Sequence, residues 1–153
     1  MAPATPKADL ERFIARFTPE IAALARSALR RMRKRLPTAH QLVYDNYNAL
    51  GIGFAPTERA STVIFSVVLY PRRVSLFFMQ AKASALEDPA QLLRGNGTTV
   101  RHVPLESAAM LDSAPIERLM AQALARAKVP LAASGKGKLI IKSISAKQRP
   151  RRP

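Results

Sequence analysis

The sequence contains no cysteine and only two histidines, His40 and His102. The absence of cysteine excludes disulfides, thiolate metal sites and cysteine-based catalysis. Two histidines are too few for a histidine-rich metal centre, so we predict neither a metal site nor a cofactor. Because secreted chains of this size often carry disulfides, the lack of cysteine favours the cytoplasm.

Long apolar runs are also missing. The longest apolar stretch is broken by Ser66 and Pro71, and it falls short of the ~18 residues of a spanning helix. Residues 1–9 are rich in alanine and proline and lack the apolar centre of a signal peptide. We therefore expect neither a transmembrane segment nor a secretory signal.

Acidic residues are scarce, with ten Asp and Glu against 25 Lys and Arg and a formal net charge of +15. The middle of the chain is nearly neutral and both flanks are basic, since residues 131–153 carry seven bases and no acid. We predict one domain over residues 7–130. A basic, partly disordered tail follows over residues 131–153, in which Leu139–Ile144 offers a short edge strand.

Helical patterns occur near both ends of the domain. Apolar residues at i, i+3, i+4 and i+7 predict a first helix over residues 7–17. A second helix is predicted from 19 to about 35, with Thr18 as its N-cap and a proline at its first position. A third is predicted over about 115–128.

β-branched and aromatic residues mark the strands. Residues 61–79 predict a buried hairpin that turns at Pro71, and residues 41–54 predict another strand. A last strand over 98–105 is confined to an edge by Pro104. The predicted fold class is α+β: an antiparallel sheet built on the central hairpin, with two N-terminal helices and one C-terminal helix packed on it.

Two polar clusters interrupt the apolar middle. One is the run Asp45-Asn46-Tyr47-Asn48, whose residue types strands usually avoid, and the other spans residues 95–102. If both strands share a sheet, these side chains converge on a small polar site. The alternative is structural, with a satisfied histidine and an Arg101–Asp45 ion pair. The candidate ligand-binding residues are Tyr44, Asp45, Asn46, Asn48, Gly95, Gly97, Arg101 and His102.

Basic residues crowd the second helix and the tail. They either complement the helix dipole and aid solubility, or they form an anion or nucleic-acid surface with weak, non-specific, salt-sensitive binding. The candidate residues for that surface are Arg26, Arg30, Arg33, Lys34, Lys136, Lys138, Arg149, Arg151 and Arg152.

Catalytic motifs are not recognisable. The segment Gly95-Asn96-Gly97 lacks the remaining residues of a P-loop or a dinucleotide fingerprint. Ser66 and Ser75 lack the flanking glycines of a nucleophile elbow. We therefore predict a non-enzymatic module that binds a small ligand or a protein, and the sequence leaves its oligomeric state open.

The order of several motifs resembles the YdhG-like domain family, a bacterial family of unknown function. The resemblance covers roughly residues 13–128 and rests on Leu-Val-Tyr-Asp-Asn-Tyr-Asn, Leu-Phe-Phe, Asp-Pro-x-x-Leu-Leu-x-Gly-x-Gly and Val-Arg-His-Val. It implies a small cytoplasmic α+β domain with an antiparallel sheet. One branch is described as a frataxin-like iron chaperone that binds iron on an acidic surface, a function that the basic charge of this chain disfavours.

Overall fold

The computed structural model describes residues 5–153, apart from the side chain of Ala83. These residues form three helices and six strands, with a single helical turn at Ala81–Ser84 between the fourth and fifth strands. The helices are α1 (Pro6–Ala15), α2 (Pro19–Arg35) and α3 (Ala114–Ala125). The strands are β1 (His40–Asp45), β2 (Leu50–Ala55), β3 (Phe65–Tyr70), β4 (Arg73–Phe78), β5 (Arg101–Leu105) and β6 (Leu139–Ile144).

The helices begin where local chemistry places them. Thr18 Oγ1 accepts a hydrogen bond from the Ile21 amide at 3.4 Å, and Pro19 occupies the first helical position. Thr5 caps α1 in the same way through the Ala8 amide, at 3.1 Å. Each cap satisfies an amide that has no partner within the helix. The predicted helices are confirmed, with ends within a few residues of the expected ones.

The six strands form one sheet in the order β5-β4-β3-β2-β1-β6. Neighbouring strands are antiparallel except β1 and β6, which run parallel. The predicted α+β class is confirmed, and the β3–β4 hairpin supplies much of the core. Strand β5 lies at an edge, as the proline within it requires.

The helices cover one face of the sheet and leave most of the other open. The main core joins α1, α2 and α3 to alternate strand residues such as Val43, Ile52, Val67 and Leu76. A much smaller cluster on the opposite face is built around Leu42, Ala55 and Val63. We call this second side the open face, and it is where the candidate site lies.

The region 41–54 differs from the expectation of one strand, because it forms the hairpin β1–β2. The Asn46 amide donates to the Ala49 carbonyl at 3.0 Å and closes the turn between the strands. Asn and Asp favour turns because their side chains bond nearby backbone. The run that broke the strand pattern is therefore a turn, and Gly51 and Gly53 pair regularly with β3.

The C-terminal tail docks on the sheet, and its Leu139–Ile144 segment forms the expected edge strand. Strand β6 pairs with β1, and the chain beyond it returns across the β1–β2 turn. The amides of Ser145 and Arg149 donate to the carbonyls of Asp45 (2.8 Å) and Tyr47 (2.9 Å). The side chain of Arg151 is buried, with 4% relative exposure. The basic composition predicted a solvated tail. Arg151 is instead buried, because it forms an ion pair with the buried carboxylate of Asp45.

None of the helices formed by residues 5–153 combines the length and the apolar character needed to cross a bilayer. The expectation that residues 1–9 carry no signal peptide concerns in part residues 1–4, which lie outside the described residues.

Candidate functional site

A groove crosses the open face of the sheet, with a cavity volume of about 660 Å³. Strand pairing aligns Tyr44, Gly51, Val68 and Ser75 in one row from β1 to β4. Large side chains flank a glycine in this row, so the face is concave where the glycine lies. The loop residues Asn46, Tyr47 and Asn48 form one end of the groove.

Gly51 keeps the floor of the groove empty. A Cβ atom built on Gly51 would meet no heavy atom within 4 Å, so a side chain there would project into free space. Gly53 is different, because the side chain of Val63 packs against it. A Cβ atom built on Gly53 would lie 3.0 and 3.1 Å from the methyl carbons of Val63. The space at Gly53 is thus filled by Val63, whereas the space at Gly51 is free for a ligand.

The hydroxyl of Tyr44 is a buried polar group of the groove wall that has no hydrogen-bond partner among the described residues. Burial raises the pKa of the Tyr44 hydroxyl, so the group is a neutral donor and acceptor at physiological pH. A buried hydroxyl without a partner costs about 1–3 kcal/mol. A bound molecule would remove that cost once the side chains that cover this oxygen shift and a polar atom of the molecule reaches it.

The other lining residues combine aromatic rings with amide groups. Tyr70 and Phe77 contribute rings from β3 and β4, and Asn46 and Asn48 contribute amides from the turn. Tyr47 is 49% exposed, an unusual state for a large aromatic residue. Such a surface suits a flat apolar body that carries a few polar atoms.

The predicted site residues on β5 do not join this groove. Neighbouring strands are about 4.8 Å apart, so β5 and β1, four positions apart, are separated by about 19 Å. Gly95, with a φ of 112°, and Gly97 belong to the turn before β5. Arg101 donates to the carbonyls of Gly97 and Val100 in its own turn. The expected convergence of Asp45 with Arg101 and His102 is therefore wrong.

His102 lies on the open face and stacks on Phe77, with ring centroids 5.0 Å apart. Its pKa is lowered from the ordinary 6.5, chiefly by burial and then by repulsion from Arg73 and Arg94. The unfolded chain binds this proton more readily than the folded chain. The neutral imidazole therefore supports stability above pH 6.5, and that support is lost as the pH falls below 6.5 toward the folded-state pKa.

We expect His102→Gln to flatten the acid side of the stability profile. The free energy of unfolding of the parent, measured in urea, should decrease as the pH is lowered below about 6.5. The variant should show a smaller decrease over the same pH range. NMR titration of the imidazole gives the pKa directly. A measured value at or above that of an unfolded histidine would contradict the assignment.

Asp45 lies on the opposite side of β1 from the groove, in a buried ion pair. Arg151 Nη2 donates to Asp45 Oδ1 at 2.8 Å and to the Asn46 carbonyl at 2.6 Å. Arg16 Nη1 is 3.7 Å from the second carboxylate oxygen. The Arg151 guanidinium also lies over the ring of Phe17, 5.6 Å from its centroid. These contacts assign Asp45 a structural role in docking the tail.

Many candidate phosphate-binding bases are used within the fold. Arg26 donates to Glu11 and Arg33 donates to Gln41, both at 2.7 Å. Arg152 donates to the Arg16 carbonyl at 3.1 Å, near the C-terminal end of α1. The remaining candidates are Arg30, Lys34, Lys136 and Arg149, all exposed, and Lys138, whose Nζ is 3.8 Å from Glu58.

The described residues contain no cluster of metal-ligating side chains. Within residues 5–153, no group of three or more histidine, aspartate or glutamate side chains is placed to hold an ion. Asp112 lies beside two bases, at 2.9 Å from Arg31 Nε and 3.0 Å from Arg35 Nη2. The pKa of Asp112 is lowered, first by a hydrogen bond from Arg31, so this carboxylate is held by bases.

Sequence reasoning missed most of the groove lining, including Gly51, Val68, Tyr70 and Phe77. The available signal was the two-residue period of β3, which puts Ser66, Val68 and Tyr70 on one face. Using that signal also required the pairing of β3 with β2. Because residues 41–54 were predicted as one strand, β2 was not recognised as a separate partner of β3.

Comparisons of the chain with protein-family models, with curated proteins and with solved structures find no match. The geometry of the groove is therefore the basis for any statement about function.

Proposed function

We propose that this chain is a non-enzymatic bacterial binding module, acting in the cytoplasm, that holds a small ligand with a flat apolar body in the open-face groove. The observation that carries the proposal is the buried Tyr44 hydroxyl, which lacks a partner and belongs to the residue that pairs with Gly51 across β1 and β2. A ligand with an apolar body and one inward polar atom satisfies both features.

The size of the groove supports a small molecule as the occupant. A volume of about 660 Å³ lies within the range of roughly 300–1,000 Å³ that is typical of ligand sites. Aromatic rings favour stacked or edge contacts with another ring system. The amides of Asn46 and Asn48 would fix the orientation of polar substituents at the turn end.

The tyrosines supply a natural reporter of occupancy. The chain has three tyrosines and no tryptophan, and Tyr44, Tyr47 and Tyr70 all line the groove. A ligand bound there should change the tyrosine emission of the protein. A ligand bound elsewhere should leave that emission nearly unchanged.

We expect Gly51→Val to block the groove. The parent should bind N-phenylnaphthylamine (NPN), a neutral probe that fluoresces in apolar surroundings, and should change its tyrosine emission in the same titration. The variant should lose at least about tenfold in NPN affinity, since the valine side chain occupies the floor. Valine suits a strand, so the variant should remain folded.

Gly97→Val is the matched control, because Gly97 is exposed in the turn before β5, remote from the groove. It should bind NPN like the parent. If Gly51→Val and Gly97→Val retain the same NPN affinity, or if the parent binds no NPN, the proposed function is wrong.

Weak, non-specific nucleic-acid association is the alternative function, through the basic helix and tail. It has less support because Arg26, Arg33, Arg151 and Arg152 make intramolecular contacts. Membership of the YdhG-like family remains a proposal, and its iron-chaperone branch has the least support because this chain is strongly basic.

A further inference from the structure

A second concavity adjoins the groove at its turn end. It has a volume of about 680 Å³ and shares Asn48 and Tyr70 with the groove. Its remaining lining includes three arginines: Arg72 from the tip of the β3–β4 hairpin, and Arg149 and Arg152 from the C-terminal segment. We call this second concavity the arginine mouth.

The side chains that line the arginine mouth supply no counterion for its charge. None of the described residues that line it is Asp or Glu. Within residues 5–153, the ion pairs involve neither Arg72 nor Arg149. Like charges gathered beside a low-dielectric groove raise the local positive potential. An anion placed between them would be attracted without displacing any bound acid.

Two contacts position Arg149 toward the groove. Arg149 lies over the ring of Tyr47, a groove residue, at 5.7 Å from the centroid. The Arg149 amide donates to the Tyr47 carbonyl at 2.9 Å, which ties the tail to the turn. Arg72 follows Pro71 in the turn directly after Tyr70. Arginine presents a planar fork of donors that matches carboxylate, sulfonate and phosphate groups.

Resting on the proposed function, we infer that the ligand of the groove is an amphipathic anion. Its flat apolar body lies on the open face against Tyr44 and Phe77. Its carboxylate, sulfonate or phosphate head lies in the arginine mouth between Arg72 and Arg149. Charge complementarity favours this ligand over a neutral one, because a neutral molecule would leave the guanidinium groups without an anion.

Two probes that differ by one charged group test this inference. Anilinonaphthalenesulfonate (ANS) has the ring system of NPN with a sulfonate added. The parent should bind ANS more tightly than NPN. The double variant Arg72→Gln/Arg149→Gln should lose about tenfold or more in ANS affinity and keep its NPN affinity, because it removes charged hydrogen bonds that only the sulfonate accepts.

A second double variant, Arg30→Gln/Arg118→Gln, is the matched control. It removes two exposed bases from α2 and α3 on the other side of the sheet, so it lowers the net charge equally. It should bind ANS like the parent. Equal ANS affinity of the two double variants would overturn the inference that the ligand is anionic, and unchanged NPN binding would leave the proposed function standing.

Single-stranded nucleic acid is the competing occupant, since bases stack on aromatic residues and phosphates bind arginine. An oligothymidylate should compete with ANS no better than thymidine monophosphate if the occupant is a small anion. Competition by the oligomer at far lower nucleotide concentration, lost in both double variants, would overturn the inference in favour of a long polyanion.

Discussion

Replacing Arg151 by methionine is expected to lower the free energy of unfolding by about 3–5 kcal/mol, the range for breaking a buried ion pair. The substitution leaves Asp45, with 1% relative exposure, as a buried carboxylate. Its nearest remaining cation is Arg16, whose Nη1 lies 3.7 Å from Oδ2. Contacts to the Asn46 carbonyl and the Phe17 ring are lost as well. Denaturant unfolding measures the change.

The neighbouring Arg152→Met is the control for this prediction. Arg152 is exposed and bonds backbone carbonyls, so its loss should cost less than about 1 kcal/mol. The double variant Asp45→Asn/Arg151→Met should be less destabilised than Arg151→Met alone, because no unpaired charge stays buried. If Arg151→Met and Arg152→Met have equal stability, the buried pair does not anchor the tail.

Gly137→Ala is expected to cost about 3 kcal/mol or more, at the upper end of overpacking effects. A Cβ on Gly137 would lie 1.7 Å from the Ala39 carbonyl oxygen and 2.9 Å from the His40 nitrogen. These are backbone atoms, which cannot rotate away as a side chain does. The segment before β6 would have to leave β1, breaking the bond from the Gln41 amide to the Lys138 carbonyl at 2.8 Å.

Limited proteolysis and amide exchange measure this displacement directly. Gly137→Ala should expose the chain before β6 to cleavage and speed exchange at the Gln41 amide. Gly51→Ala is the control, because a Cβ there meets no atom within 4 Å. It should have near-parent stability. Parent-like stability and exchange in Gly137→Ala would mean that the tail does not pack against residues 39–40.

Both substitutions bear on the binding site as well as on stability. Ser145 lines the groove, and Arg149 lines the arginine mouth, so the docked tail forms part of both concavities. A ligand that binds only the docked form stabilises it by mass action. The tail is therefore a component of the proposed site, and the Arg151–Asp45 pair positions it without touching the ligand.

Local signals in the sequence were sufficient for the elements that depend on nearby residues. Thr18 and Pro19 begin α2 wherever the helix packs, because capping satisfies amides within the same turn. The β3–β4 hairpin follows from two β-branched runs on either side of Pro71. The α+β class followed from these elements together.

Only the tertiary structure decided which distant residues meet. Asp45 and Arg151 are 106 positions apart, and any of 25 bases was an equally plausible partner in the sequence. The order of the strands places β5 at the far edge, which separates His102 from the β1–β2 turn. Pairing between strands also decides that Gly51 faces Val68 and leaves a groove. Such contacts depend on chain closure over long separations, for which composition and periodicity carry no signal.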